Sequence, residues 1–440
     1  MVSMTEIPIE ERIFQLFQHL GIQQAHLAAR LPKDWQGFAA AHPQCVASLT
    51  LLCPQQVDHN ALRTLALRPL VFIGDRGPTA EGLRENLANH PDSTVITLQN
   101  YQAGTTSDVV ADRVDDIGTA MLDFLDQRDQ ERGDQEVSLP EGEGQVAGIL
   151  YRIQGSGPPL VLFPLQYAPS QWDPVLPRLS QRYCTITLSG ANVGSVSTLE
   201  ARAKGGYLEA VQKVVDEIQL QPGERVLDVG CGPGSLDRWL AHRTGGANPI
   251  VGVDVSTFLL REAAALVKSE GLEGVVEFRE ASGETLPFPD DSFDVSMSFT
   301  VIQFVDADRM LGEMIRVTRP GGRIAVLARG DDRPNIINAP LRAELKAKAE
   351  AQRSELPHEL GCRDASLYRR FQQAGLTKVK MFPQLVTYTE EAHWQTVQSR
   401  VLSALSPEEA EEYRTAVAQA QAEGSFFIAE QFHCAVGVKA

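Results

Sequence analysis

The sequence predicts an α/β protein of two domains, and three observations carry that expectation. Short apolar runs of strand length alternate with stretches that are apolar at helical spacing. The series starts twice, once on each side of a Gly-containing break near Thr198–Gly206. At 440 residues the chain also exceeds one ordinary domain of about 100–200 residues.

The elements follow in order. Ile13–Leu20 is apolar at helical spacing, and Val46–Leu52, Pro69–Ile73 and Ser93–Leu98 read as buried strands. Val109–Leu125 returns to a helical period. Asp126 to Gln145 is acidic and polar with almost no apolar residues, so it reads as a linker or exposed loop. Beyond it, Ala147–Ile153 and Leu160–Phe163 read as a strand pair and Tyr183–Leu188 as a third strand. This alternation predicts a mainly parallel sheet. The second series opens with an amphipathic helix at Leu208–Ile218. Strands at Arg225–Val229, Ile250–Val253 and Val275–Glu280 alternate with helices at Leu236–His242 and Phe258–Ser269. Phe293–Phe299 and Gly322–Ala328 are further buried strands. A polar helix around Ser406–Ala422 precedes Phe426–Ala429 and His433–Val438, which read as a closing antiparallel pair.

Composition excludes several classes. An apolar fraction of 43% with 22% charged residues is that of a globular chain, not a disordered or fibrous one. Lysine and arginine number 40 against 57 aspartates and glutamates, a net charge of −17. So acidic a chain lacks the basic footprint that nucleic acid or an anionic membrane surface requires. No apolar run is long enough for a bilayer span, and Met1 to Glu11 lacks the apolar core of a secretory signal. Cys45, Cys53, Cys184, Cys231, Cys362 and Cys434 are scattered without a C-x-x-C pair. Reduced thiols in a cytoplasm are expected, with no disulfide framework, and no cluster has metal-ligand spacing.

The strongest motif is Val226-Leu227-Asp228-Val229-Gly230-Cys231-Gly232-Pro233-Gly234-Ser235, a buried strand running into Gly-x-Gly-x-Gly before a helix. Glycine permits the tight turn and close backbone approach, and the helix N-terminus offers free N–H groups. Twenty residues after Gly234, Asp254 ends the next strand, where a carboxylate can take both hydroxyls of a ribose. The order strand, loop, helix, strand, acid is that of a nucleoside site. The third glycine comes one residue earlier than in a dinucleotide loop, and Asp228 precedes the first by two.

That combination resembles motif I of class I S-adenosylmethionine-dependent methyltransferases, which have a Rossmann-like fold. Glu284-Thr285-Leu286-Pro287-Phe288-Pro289-Asp290-Asp291-Ser292-Phe293-Asp294 and Glu313-Met314-Ile315-Arg316-Val317-Thr318-Arg319-Pro320-Gly321-Gly322-Arg323 are similar to segments of the ubiquinone/menaquinone-biosynthesis type. Lys204-Gly205-Gly206-Tyr207 resembles the stretch that meets the cofactor's methionine end. The resemblance covers about residues 203–330 and implies a methyltransferase domain over 203–440, with 331–425 shaping the acceptor side. It implies roles for Tyr207, Gly230, Cys231 and Gly232 around the methionine portion and for Asp228 behind the loop. Asp254 would hold the ribose, Val255 pack on the adenine, and Ser282, Gly283 and Glu284 flank its edge; Thr300 and Val301 would floor the methyl site. Relatives often carry aspartate where Ser282 stands. Cys231 reads as a small loop residue rather than a nucleophile.

Methyl transfer needs in-line positioning and, for a hydroxyl, thiol or ammonium acceptor, a base. Gln303 stands where many relatives carry histidine; it can orient a substrate but not deprotonate it. His358, Tyr368, Tyr388, His393, Trp394, Glu430 and His433 are the remaining candidates, with His433 and Glu430 favoured by their place around the final pair. The expected function is methyl transfer from S-adenosylmethionine to a small molecule, giving S-adenosylhomocysteine. The acceptor atom stays open, and a homodimer is one possible assembly. A non-catalytic cofactor-binding sensor or scaffold is the second reading.

Residues 1–200 resemble an α/β-hydrolase with its halves exchanged, joined by the linker at about 126–145. Gly148–Phe163 and Gln171–Leu176 are similar to the fold's opening strands and the helix after its oxyanion loop. His19–Ile22, His42-Pro43, Val46–Leu52 and Pro69–Pro78 are similar to its later half. The resemblance puts Leu31 at the nucleophile position of Ala29-Arg30-Leu31-Pro32-Lys33 and Gly77 at the acid position, Asp75 matching the family's preceding, non-catalytic aspartate. There is no histidine around Gln102-Ala103-Gly104-Thr105. A non-catalytic domain that shapes the substrate site or supports dimerisation is expected.

Overall fold

Parallel strands need long crossovers, and the helical stretches between the apolar runs supply them. The computed structural model describes residues 7–440 apart from 55–56, 58–61, 64–67, 89–91, 104–106, 133–138, 191–192, 195, 353–358, 390–393, 395–396, 399 and 403. The chain divides into two compact units, Met1–Ser197 and Thr198–Ala440.

Unit 1 has strands β1 (Ala25–Ala29), β2 (Val46–Leu52), β3 (Leu70–Gly74), β4 (Thr94–Leu98), β5 (Gly142–Val146), β6 (Ile149–Gln154), β7 (Pro159–Leu162) and β8 (Cys184–Gly190). They form one sheet in the order β4-β3-β2-β1-β7-β8-β6-β5. Neighbours are parallel from β4 through β8, while β6 is antiparallel to both β8 and β5. Central strands buried on both faces need unbroken apolar runs, and β1, β3 and β7 are buried at every residue. Helix α1 (Ile9–Leu20) lays Ile13, Leu16 and Phe17 inward and ends at Gly21, whose φ of 67° is the left-handed stop glycine favours. Helix α2 (Pro32–Ala41) follows β1, and α3 (Val114–Arg132) buries Ile117, Met121, Phe124 and Leu125.

Two expectations are corrected here. The strands at Ile149–Gln154 and Pro159–Leu162 are not a pair: β8 lies between them and bonds to both. The acidic stretch is not a continuous loop, because α3 runs to Arg132 and β5 begins at Gly142; 133–138 lie outside the described residues. Its acids are acceptors for internal partners. The Tyr183 hydroxyl donates to Asp126 (3.0 Å) and Asp129 (2.9 Å), and Arg182 pairs with Asp126 at 2.6 Å. Composition sees only the charges, not the donors that the fold brings to them.

Unit 2 has β9 (Val226–Val229), β10 (Ile250–Asp254), β11 (Val276–Glu280), β12 (Phe293–Phe299), β13 (Thr318–Arg329), β14 (Ile336–Ile337), β15 (Thr377–Tyr388) and β16 (Ile428–Val438). The order is β11-β10-β9-β12-β13-β16-β14, and β15 pairs with β16. Strands β9 to β13 are mutually parallel neighbours, and β16 is antiparallel to its partners. Helices α4 (Gly205–Ile218), α5 (Ser235–Arg243), α6 (Thr257–Ser269), α7 (Ala307–Val317), α8 (Ser366–Gln373) and α9 (Pro407–Ala422) cover it. Their starts are legible in sequence: the Ser256, Asp306 and Ser406 side chains accept backbone N–H groups at three helix N-termini. Met310, Leu311, Met314 and Val317 bury one stripe of α7.

The expected closing hairpin is instead one continuous strand. Residues 430–431 carry no turn former, and Ile428, Ala429, Phe432, Cys434, Ala435 and Val436 are all buried. β16 lies between β13 and β15, so its apolar residues serve both faces. Among the described residues no helix is long and apolar enough to cross a membrane.

Trp172 is fully buried and its indole N–H donates to the Phe163 carbonyl at 2.7 Å. Trp172→Ala should therefore destabilise unit 1 by about 3–5 kcal/mol. A urea titration checks this; an unchanged midpoint would show that the ring is not core.

Candidate functional site

Open α/β sheets hold ligands beyond the carboxyl ends of their strands, where the strand order reverses. In unit 2 the chain lays β10 and β11 on one side of β9 and β12 and β13 on the other. The reversal lies between β9 and β12, and the glycine loop leaves the sheet there.

The loop is held in place by backbone. Gly230, Gly232 and Gly234 have φ of 83°, 56° and 71°. A Cβ at Gly230 would lie 2.2 Å from Val301 Cγ2, so the site needs both the left-handed turn and the missing side chain. The N–H groups of Gly230 and Cys231 donate to the Val253 carbonyl at 2.7 and 3.0 Å. Asp254 accepts the Gly232 N–H (2.9 Å) and the Ser256 N–H (2.9 Å), fastening the loop to the end of β10. Burial raises its carboxyl pKa, and these N–H groups oppose the rise. Val255 beside it is 51% exposed.

Behind the loop stand two buried carboxylates. Asp228 is 2% exposed and its Oδ1 has no hydrogen-bond partner among the described residues. Burial, then the nearby Asp237 and Asp254, push its pKa well above the carboxylate range. Asp237, in the first turn of α5, is fully buried and neither oxygen has a hydrogen-bond partner among the described residues. Burial lifts it to about 7 against the opposing pull of its own N–H and Arg238. Sequence reasoning missed Asp237; the available signal is an acid on the inward face of α5, beside Leu236, Leu240 and Ala241. Cys231 is buried, and burial followed by these aspartates drives its thiol pKa far up, the opposite of a nucleophile.

On the opposite side of β9, Thr300 follows β12 with φ of 59°, a rare value for a branched residue. Its hydroxyl meets the Tyr207 hydroxyl at 3.1 Å and an Arg202 guanidinium N–H at 3.2 Å. Ser282 Oγ accepts the Glu284 N–H, while Gly283 lies against Val229. Glu284 accepts the Asp306 N–H at 2.9 Å, so this acid closes the turn before α7.

The three candidate catalytic residues are not brought together as a unit. Gln303 is buried and donates to the Thr300 carbonyl at 3.0 Å, with Oε1 unpartnered among the described residues. Glu430 and His433 lie three apart on one strand and so project to opposite faces. Glu430 is held by Arg329 (2.5 Å) and Arg400 (3.2 Å), one guanidinium on each carboxylate oxygen. His433 Nε2 instead meets Asp332 at 2.7 Å, and its Nδ1 is buried with no partner among the described residues. Against burial, His433 and backbone bonds hold the Asp332 carboxyl below its ordinary range. Trp394 packs edge-on against Phe426, Tyr388 is buried and Tyr368 is exposed on α8. His358 and His393 lie outside the described residues. Among the described residues no group of His, Cys, Asp or Glu is arranged to hold a metal ion.

In unit 1, β1 runs into α2 through Arg30 and Leu31, a strand–turn–helix with leucine at the bend. Asp75 accepts the N–H groups of Asn100 (2.7 Å) and Tyr101 (2.8 Å), which lower its pKa and fix a loop. Gly104 and Thr105 lie outside the described residues. One connection was not foreseen. His26 Nδ1 lies 2.7 Å from Ser48 Oγ and Nε2 lies 2.9 Å from Asp129. The linkage is that of nucleophile, base and orienting acid, but His26 and Ser48 are 2% and 4% exposed in the first halves of β1 and β2. A hydroxyl sealed in the core cannot reach a substrate; the network is an internal strut.

The folded protein holds the Asp237 proton more tightly than an unfolded chain, whose aspartate titrates at about 4. Stability therefore falls as pH rises from about 4 to about 7, then levels. Asp237→Asn should raise the melting temperature at pH 8 and change it little at pH 4.5. Equal shifts at both pH values would show that the carboxyl carries no such proton.

The comparisons agree with the geometry of unit 2. Residues 227–326 match the family described as a methyltransferase domain. Methyltransferase GfsG of Streptomyces halstedii is 39% identical over 131 residues, 30% of this chain and 46% of that protein. The ubiquinone/menaquinone biosynthesis C-methyltransferase UbiE of Vibrio campbellii is 38% identical over 108 residues, 24% of this chain and 42% of that protein. The chain thus spans less than half the length of these curated relatives. The crystal structure of YcgJ from Bacillus subtilis aligns with 53% of this chain and 98% of its own, at 18% identity and a TM-score of 0.36. The similarity to methyltransferases is thus carried by residues 227–326 of unit 2.

Proposed function

We propose that unit 2 transfers a methyl group from S-adenosylmethionine to a small-molecule acceptor and releases S-adenosylhomocysteine. The observation that carries this reading is the glycine loop at the strand reversal, braced by Asp254 and backed by an unpartnered buried oxygen of Asp228. The residues fit such a ligand: a Cβ at Gly232 would meet nothing within 4 Å, so the loop leaves open space there, and an acid stands at the end of β10. Asp254 would take the ribose, exposed Val255 the adenine face, and Ser282, Gly283 and Glu284 its edge. Gly230, Cys231, Gly232, Asp228 and Tyr207 would surround the methionine end, with Thr300 and Val301 below the methyl group. The cofactor, when bound, supplies a methyl group activated by its positive sulfonium. The protein's part is to orient the acceptor and exclude water. Gln303 serves orientation, and His433, buried with its Nε2 engaged by Asp332, serves to position rather than as a base. Residues 331–425 are placed by sequence to shape the acceptor side.

Unit 1 we read as a non-catalytic, circularly permuted α/β-hydrolase-like domain, used to shape the substrate site or to dimerise. Its strand order supports the permutation. Counted from β5, the sheet runs 1-2-4-3-5-6-7-8, so sequence neighbours are sheet neighbours apart from one exchange, as short connections require. Leu31 at the bend supports the loss of hydrolysis.

Calorimetry with S-adenosylmethionine and an S-adenosylhomocysteine release assay over acceptor pools test the first reading. Asp254→Ala should weaken cofactor binding about tenfold or more, as expected for a lost charge-assisted hydrogen bond and an untethered loop. Unchanged affinity would overturn the site, and binding without release under every acceptor would favour a sensor. A fluorophosphonate should leave the full chain unlabelled; labelling at Ser48 would overturn the non-catalytic reading of unit 1.

A further inference from the structure

A chain of contacts runs from Thr300 away from the glycine loop. Tyr207, bonded to Thr300, stands edge-on to Phe432 with centroids 5.5 Å apart. The Arg329 guanidinium lies 5.5 Å over the Phe432 ring and donates to Glu430, which Arg400 also engages. Tyr388 belongs to the same cluster: burial and then Glu430 raise its hydroxyl pKa, with Arg329 and Arg202 opposing.

The charges in this recess do not balance. Glu430, with 4% of its side chain exposed, is one carboxylate divided between two guanidiniums. Arg202, beside Thr300, has no carboxylate in ion-pair range among the described residues; its hydrogen bond goes to the Thr300 hydroxyl and its plane lies over Tyr207. Arg329 donates to Glu430 alone among the described residues and keeps 17% of its side chain open. A guanidinium has five N–H donors in a planar fork that matches carboxylate or phosphate oxygens. Holding cations with unspent donors in a low-dielectric recess is costly unless a counter-charge arrives.

We propose that the methyl acceptor carries an anionic group, carboxylate or phosphate, which Arg202 and Arg329 receive beside Thr300. The inference rests on the methyltransferase reading, since it assigns Thr300 to the floor of the methyl site. A positive sulfonium in the neighbouring cradle would add to the same field. The anion then fixes the acceptor's register, and Glu430 keeps Arg329 extended.

The test uses the full chain saturated with S-adenosylhomocysteine, titrated with benzoate, phenyl phosphate and neutral benzamide. Saturable binding of one or both anions, and none of benzamide, is expected; which anion binds more tightly names the group. Arg202→Gln should weaken the anion about tenfold, the loss of one charge-assisted hydrogen bond. Glu430→Gln, which adds a net positive charge to the recess, should tighten it. The opposite directions separate the effect from loss of fold, which circular dichroism of both variants checks. Equal binding of benzamide, or no effect of either variant, would overturn the proposal. So would benzoate that competes with S-adenosylhomocysteine but not with its decarboxylated analogue, because the fork would then belong to the cofactor's own carboxylate. Failure of S-adenosylhomocysteine itself to bind would instead remove the methyltransferase reading, and the acceptor site with it.

Discussion

The second unit depends on one backbone manoeuvre. A strand buried on both faces must stop, turn back within a few residues and start a helix, all against the side chain of Val301. Only residues without a Cβ allow this at Gly230, and the turn leaves N–H groups that need acceptors. The Val253 carbonyl and the Asp254 carboxylate provide them. The loop and the acid at the end of β10 are therefore one device. The hydrogen bonds that shape the loop also fix the acid beside it.

Burial of charge is the second constraint, and the two sides of β9 handle it differently. Behind the loop, Asp228 and Asp237 are buried, and Asp228 Oδ1 and both Asp237 oxygens have no hydrogen-bond partner among the described residues; burial raises the pKa of both. Beyond Thr300 stand the partly buried guanidiniums of Arg202, Arg329 and Arg400, which cannot shed their charge and must be neutralised by a partner. Glu430 meets part of that need. The two sides of β9 thus differ in polarity, with protonated acids behind the loop and guanidiniums beyond Thr300.

Unit 1 shows how a polar network can have the connectivity of a catalytic centre without its function. Ser48, His26 and Asp129 are linked as a nucleophile, base and acid would be, and Tyr183 extends the linkage to Asp126. The difference is access. His26 and Ser48 occupy the first halves of β1 and β2, and their hydrogen bonds and those of Tyr183 tie the sheet to Asp126 and Asp129 on α3.

The sequence by itself determined the α/β series, helices such as Phe258–Ser269 and Ser406–Ala422, and the glycine loop with its acid at Asp254. Each is local: a periodicity, or a turn that one residue type permits. The tertiary structure alone decided what depended on partners distant in the chain. Residues 126–132 read as linker because composition could not show Tyr183, Arg182 and His26 waiting for their carboxylates. The final segment read as a hairpin because a strand flanked on both sides needs no turn, and nothing local announces its neighbours. Glu430 and His433 looked like one pair in sequence; the two-residue period of β16 sends them to opposite faces, one to Arg329 and the other to Asp332. Asp237 and Arg329 escaped notice for the same reason, since the meaning of a buried charge lies in what surrounds it.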